Sequence, residues 1–318
     1  MNFLNLYKNL GKYEGFRALK AHRKLLAQLQ VDTSSFFFFN SYFLKNSSIV
    51  LRGFGVLGVP VRTGGRRLAV DPAELVRAIC HKLKTGCQWR WLPVKALFTG
   101  EPLSWQGVYY HFNAWSKQGA WKKLWLTSLH LHRRTLDLSS VQLDGSHTLA
   151  KNGGAAIGYQ GRKAGRTTNA LFLADNQGLP LAMATPQAGN QHDTFELERV
   201  FAELCDLLEA AELRLEGLFL NADKAFDVTA LRQACARRGI EANIPRNRRS
   251  ADWQTDDDTP LDPELYRRRL AIERLNAWLD GFKALLVRYE TSLQNWMALH
   301  WVAFTVLLLR KIAPPPTS

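Results

Sequence analysis

Beyond Leu138 the chain alternates short apolar runs with helical stretches, in an order that leaves few architectures open. Residues 140–144 read as a buried strand. Residues 167–175 read as a second and 179–185 as a third, joined by the turn Asn176-Gln177-Gly178. A helix is expected from Asp193, which with Glu196 makes a capping-box-like start, to about Glu212. Residues 217–222 then read as a fourth strand, 226–238 as a helix, 240–244 as a fifth strand and 262–283 as one long helix. Three strands, then helix, strand, helix, strand and helix, predict an α/β fold: a mixed five-stranded sheet with flanking helices.

This order is the ribonuclease H-like arrangement, and it places three distant carboxylates suggestively. Asp144 ends the apolar run that opens at Ser140, Asp223 ends the run from Leu218 to Ala222, and Glu273 lies in the last long helix. Each acid has a plain structural reading taken alone. Asp144 caps a Gly145-Ser146 turn, Asp223 is a turn residue before Lys224, and Glu273 pairs with Arg269 four residues earlier. Taken together, two strand ends and one helix converge on a single point, where three hard oxygen donors make a cage for divalent cations.

Charge points to the substrate. The 42 Lys and Arg against 28 Asp and Glu leave a net charge of +14 and a pI near 9.8, the balance of a protein that works on a polyphosphate. An anionic membrane is the rival partner. The best spanning candidate, Trp296 to Leu309, is too short and is interrupted by His300 and Thr305, so a buried terminal helix is expected instead. The start carries Lys8, Lys12, Arg17, Lys20, Arg23 and Lys24 without the apolar block of a signal peptide, which predicts a cytoplasmic protein. Cys80, Cys87, Cys205 and Cys235 are scattered, which predicts reduced, mostly buried thiols rather than a disulfide framework or a zinc site.

Four segments follow from composition. Residues 1–65, with a basic helical start and Phe36 to Phe39, read as an extension of unassigned role, either an oligomerisation or DNA-end contact or an accessory packed on the body. Residues 66–137 read as a helical DNA-binding region, 138–312 as the α/β catalytic domain and 313–318 as a tail. Between Arg66 and Arg134 there are 12 Lys and Arg and three acids. Asp71-Pro72-Ala73-Glu74 opens one helix, to about Lys84, and Ser104 caps a second. In the second, Trp105, Val108, Tyr109, Phe112 and Trp115 form a buried stripe and leave Gln106, Tyr110, Asn113 and Lys117 outward. That outer face fits a helix-turn-helix-like unit reading base edges, or an ordinary helical bundle. Lys122, Lys123, Arg133 and Arg134 suit phosphates. So do Lys151, Arg162, Lys163 and Arg166 between the first two strands, and Arg246, Arg248 and Arg249 after the fifth; each set reads equally as a solvated run.

Several segments also resemble a known family. Tyr266-Arg267-Arg268-Arg269-Leu270-Ala271-Ile272-Glu273 carries the Tyr-x2-Arg-x3-Glu signature of bacterial DDE-type insertion-sequence transposases, and it looks most like the insertion sequence five group of the IS4/IS5-like superfamily. Thr85 to Pro93 resembles that group's N-terminal block, Leu143 to His147 its first-aspartate segment, Ala222 to Asp227 its second, and Glu273 to Phe282 its third. The resemblance covers roughly residues 66 to 312. It implies a transposase that binds the terminal inverted repeats of its own element, cleaves the 3′ ends and joins them to target DNA as a dimer or higher assembly. It implies Asp144, Asp223 and Glu273 as ligands of two Mg2+ ions, with Mn2+ as a substitute, and Tyr266 and Arg269 as phosphate or ligand-orienting groups. The signature often carries a Lys seven residues after the Glu. Asp280 stands there, so Lys283 or Arg288 takes the DNA contact, or the contact is absent. Two other readings stay open: a DNA-binding descendant that has lost catalysis, and a nuclease that cuts without joining.

Overall fold

The computed structural model describes Leu68, residues 70–247 and residues 261–312. The expectations for residues 1–65, for Arg248 and Arg249, and for the tail 313–318 lie outside the described residues.

The basic first part is helical. Helix α1 spans Pro72–Thr85; the Asp71 side chain accepts from Ala73 N–H at its start, and Gly86, at φ 66°, ends it. Helix α2, Trp105–Lys117, is capped by Ser104 and turns its buried stripe of Val108, Phe112 and Trp115 inward. Lys122 and Lys123 lie on a third helix, α3, Ala120–Leu131. A tight turn through left-handed Gly119 joins α2 to α3, whereas α1 and α2 are separated by residues 86–104. The close helix pair is therefore α2 and α3.

Strand β1, Val141–Ala150, is the axis of the molecule. It pairs antiparallel with β3, Gly165–Ala174, along almost its whole length. Sequence alone ends this strand at Asp144; pairing with β3 carries it through the polar run Gly145 to Thr148, and no turn forms at Gly145-Ser146. Three short strands line the outer edge of β3 in succession: β2 (Gly158–Gln160), β5 (Gln187–Ala188) and β4 (Pro180–Met183). On the other edge of β1, β6 (Phe219–Asn221) runs parallel to its start, followed outward by β7 (Glu241–Asn243). The path β4-β3-β1-β6-β7 is the expected five-stranded ribonuclease H-like sheet; β2, β5 and β8 (Val287–Arg288) extend it.

Helices cover both sheet faces. Helix α4 is Leu197–Ala210, shorter than expected. Asp193 does not cap it, because Glu196 at φ 48° and a turn closed by Phe195 N–H on His192 C=O intervene. Helix α5 is Thr229–Ala236. The expected long helix over 262–283 is broken: α6 (Pro263–Arg267), a 3-10 turn (Arg268–Leu270), α7 (Ala271–Asp280) and, beyond Gly281-Phe282, α8 (Lys283–Leu286). Phe282 leaves helical geometry and is buried, which ends α7. The terminal helix α9, Leu293–Ile312, is buried around most of its circumference, and no helix among the described residues is long and apolar enough to cross a membrane.

Helix α9 ties the two halves together. Phe304 meets Trp125 of α3 edge-on, His300 stacks on Phe172 of β3, and Trp125 Nε1 donates to the β4 carbonyl of Leu181. Buried without a charged partner on its ring, His300 is pushed down to about 4 by desolvation and stays neutral. Cys80, Cys205 and Cys235 are buried thiols, Cys87 is half-buried, and none is in a disulfide.

Candidate active site

The first two acids are brought together by strand register. In the parallel pair β1–β6, Gln142 stands opposite Asn221. Asp144 lies two residues farther along β1, and Asp223 two residues beyond Asn221, just past the end of β6, so the two acids follow the same point of the parallel pair. Pairing with β6 stops at Gln142, which leaves the Asp144 edge of β1 open at the mouth of the sheet. Asp223 Oδ1 accepts from Ala225 N–H at 2.7 Å and starts the 3-10 turn Lys224–Phe226. Asp144 Oδ1 accepts from Gly145 N–H at 2.9 Å.

A buried amide ladder that sequence reasoning missed fixes the third acid's helix to these strands. Asn221 Nδ2 donates to Gln142 Oε1 and to the Leu265 carbonyl of α6, both at 2.9 Å. Asn243 Nδ2 donates to Asn221 Oδ1 at 2.8 Å and to Asp262 C=O at 3.0 Å, and Asp262 N–H returns to Asn243 Oδ1. All three amides are buried. An Asn closing each of two neighbouring strands at matching register, beside a buried Gln in β1, was the available signal. Since α6, the 3-10 turn and α7 follow one another directly, anchoring Asp262 and Leu265 aims Glu273, exposed on the first turn of α7, toward the strand ends.

Electrostatics report the convergence. The carboxyl of Asp144 is pushed up to about 6, mainly by burial, against the pull of its Gly145 hydrogen bond and of Arg269, with the charges of Glu273 and Asp223 raising it further. The three acids therefore share one electrostatic neighbourhood, and Arg269 faces it. The donor set fits a hard divalent cation: oxygen ligands only, with one half-buried carboxylate whose charge is opposed until a positive ion arrives. Among the described residues no group of three His, Cys, Asp or Glu side chains is close enough together to hold a metal ion.

Four residues along stands an acid of the opposite kind. Asp227 is buried, Arg232 Nε and Arg246 meet its Oδ1 at 2.8 and 3.0 Å, and Asn247 N–H donates to Oδ2 at 2.6 Å. Burial opposes its ionisation, but these partners outweigh burial and hold its carboxyl below the usual range. Arg246 is thus committed to the protein interior rather than presented as a free phosphate contact.

The remaining expected residues separate by exposure. Arg162, Lys163 and Arg166 are exposed on the β2–β3 hairpin, Lys283 begins α8 at the surface, and Tyr266 is half-buried on α6. Gln106 and Lys117 of α2 and Lys122 and Lys123 of α3 are exposed, with Asn113 half-buried. Arg288 cannot take the contact that Asp280 vacates. It is 1% exposed, with its guanidinium bonded to Thr168 Oγ1 and Glu290 C=O and lying over the Trp296 ring. Asp193 lies behind the site, where its carboxylate accepts from Asn169 and fills the space a Cβ would need at Gly145.

Comparison with known proteins agrees with this architecture. Residues 56–125 match the family described as "Putative transposase of IS4/5 family (DUF4096)", and residues 131–309 match "Transposase DDE domain". No curated protein matches the chain. Among solved structures, a pre-cleavage Mos1 transpososome is 12% identical over 78% of this chain and 82% of that one, with a TM-score of 0.27. A Mos1 paired-end complex with the left transposon end is 12% identical over 97% and 95%, also at 0.27. These structural likenesses are too slight to bear on the fold. The DDE-domain match spans more than half of the chain and contains all three acids, so the chain belongs to the DDE transposase family, of the IS4/IS5 kind, and is a DNA transposase.

Proposed function

We propose that this transposase binds the terminal inverted repeats of its own insertion sequence, cleaves their 3′ ends and joins those ends to target DNA. The observation that carries the reading is that the charges of Glu273 and Asp223, from α7 and from just beyond β6, both act on the half-buried carboxyl of Asp144. Asp144, Asp223 and Glu273 would hold two divalent cations, Mg2+ with Mn2+ as substitute, which would supply activation of the attacking oxygen and stabilisation of the leaving one. Arg269, beside Asp144, and Tyr266, one turn earlier, orient the scissile phosphate or the Glu273 carboxylate. Burial pushes the Asp144 carboxyl up to about 6, so below that pH its proton competes with any cation for the same oxygens.

Residues 138–312 act as the catalytic domain and 66–137 as the DNA-binding one. Gln106, Asn113 and Lys117 on α2 with Lys122 and Lys123 on α3 grip the end sequence, while Arg162, Lys163, Arg166 and Lys283 take phosphates nearer the sheet. Two ends must meet for transposition, so the working form is a homodimer or larger assembly. It acts on the chromosome, in the cytoplasm of a bacterium, at the nucleoid.

The test uses DNA carrying the inverted repeats that flank the reading frame, with Mg2+ or Mn2+. Asp144→Ala, Asp223→Ala and Glu273→Ala should each abolish cleavage and leave binding largely intact. Full cleavage by any one of them refutes the assignment. Wild-type binding should fall steeply with salt as phosphates release counterions. Cutting without joining by the wild-type protein would replace transposition with the nuclease reading.

A further inference from the structure

We infer that Tyr159 stacks on an unpaired DNA base and that the β2–β3 hairpin carrying it is a rigid arm reaching along the DNA from the catalytic acids. This rests on the transposase reading of the site and adds to it a residue and a substrate feature.

The hairpin carries charge of one sign only. From Gly145 to Ala174 there are four Lys or Arg, namely Lys151, Arg162, Lys163 and Arg166, and no Asp or Glu. Among the described residues none of the four is in an ion pair, and Arg162, Lys163 and Arg166 are exposed. Uncompensated cations on a small ribbon repel one another, and a phosphate backbone removes that repulsion.

An aromatic ring sits among them. Tyr159 is 64% exposed on edge strand β2, directly opposite Arg166. Cross-strand partners of an antiparallel pair lie on one face with Cβ atoms about 5 Å apart, so Arg166 and Tyr159 leave the ribbon side by side. A solvent-exposed ring flanked by cations is the arrangement that holds single-stranded nucleic acid, where the ring takes a base and the cations take its phosphates.

The face is the catalytic one. Register along β1 and β3 pairs Asp144 with Phe172, Ser146 with Ala170 and Thr148 with Thr168, and the same alternation continues to Arg166 and its partner Tyr159. Tyr159 and Asp144 therefore project from the same side of the sheet. Six residues of strand separate Asp144 from the level of Arg166, about 20 Å, or roughly six base-pair steps.

The arm is also held still. Thr168 Oγ1 bonds Ala156 C=O at its base, Gln160 Nε2 bonds Gly189 C=O, and Gly158 has no room for a Cβ beside Asn190. A fixed ring loses little entropy on stacking. An unpaired base arises wherever an element end is opened or nicked, and a duplex offers none.

The experiment compares two probes on the full-length protein: a 40-base-pair duplex, and the same duplex with a two-nucleotide mismatch bubble carrying 2-aminopurine. Tyr159→Ala should bind the bubble about tenfold more weakly, lose the quenching of 2-aminopurine and bind the paired duplex as wild type does. Tyr159→Phe keeps the ring and should restore both. Equal binding of the bubble by wild type and Tyr159→Ala, at matched thermal stability, overturns the stacking role. Equal loss on both probes overturns it too, and makes Tyr159 a general backbone contact. Arg162→Ala with Lys163→Ala should weaken both probes and lower the salt slope by about two, and an unchanged slope removes the arm from the DNA path. Wild-type cleavage of element ends is scored separately, so the loss of the arm and the loss of the transposase reading give different results.

Discussion

Asp223 and Asp227 stand one 3-10 turn apart and live in opposite electrostatic worlds. Asp227 is enclosed and answered by two guanidiniums and a backbone N–H, so its charge is part of what holds β7 and α5 together. Asp223 shares its neighbourhood with Asp144 and Glu273, and among the described residues Arg269 is the cation felt at Asp144. A compensated acid stabilises the fold, whereas a cluster of facing acids weakens it and is kept for what it binds.

Removing the compensated acid should do the greatest damage. Asp227→Ala leaves Arg232 and Arg246 without their buried counter-charge, and a loss of about 3–5 kcal/mol is expected in urea unfolding. Its depressed carboxyl gives stability that is present above the unfolded value, near 3.8, and disappears as pH falls through the lower folded value. Wild type and Asp227→Ala should therefore converge in acid; a gap that stays constant with pH contradicts the pairing.

The amide ladder comes next. Asn221→Leu strands the Gln142 and Asn243 amides without their shared partner, and should cost about 2–4 kcal/mol. Asn221→Asp keeps the shape and an acceptor but loses the donor to Gln142 and Leu265, so cleavage should fall further than DNA binding. If binding falls as far as cleavage, the ladder is not what aims the Glu273 helix.

The smallest effect has the opposite sign. Asp144→Asn replaces an acid whose folded value, about 6, is raised above its unfolded one. Stability associated with the proton is complete below the unfolded value and is lost as pH rises through the folded one. In metal-free buffer at pH 7.5 the variant should be more stable than wild type by on the order of 1–3 kcal/mol, with the gain gone by about pH 4. A variant that is less stable than wild type at pH 7.5 would show that Asp144 is an answered acid like Asp227.

Much of this was legible in the chain because apolar strands, helix caps and the Tyr266 to Glu273 signature are local signals. Asp71 and Ser104 cap the helices they announce, and five strands lie in the expected order. What escaped depends on partners distant in sequence. The polar half of β1 is a strand because β3 pairs with it, and Asp193 faces Asn169 rather than a helix end. Arg246 and Arg288 read as surface cations until the fold supplies Asp227 for one and Thr168 with the Trp296 ring for the other. Asp144 read as a strand end but lies within β1, and only the pairing of Gln142 with Asn221 in the folded sheet relates its position to that of Asp223.

The most direct test is a Mn2+ titration of the metal-free full-length protein at pH 7.5, followed by thermal unfolding. If the three carboxylates bind cations as one centre, the wild-type midpoint climbs with cation concentration by ligand linkage. Asp144→Asn, Asp223→Asn and Glu273→Gln should each flatten that climb. An equal climb in wild type and all three variants would mean that the cations bind elsewhere and that the acids do not form a shared site.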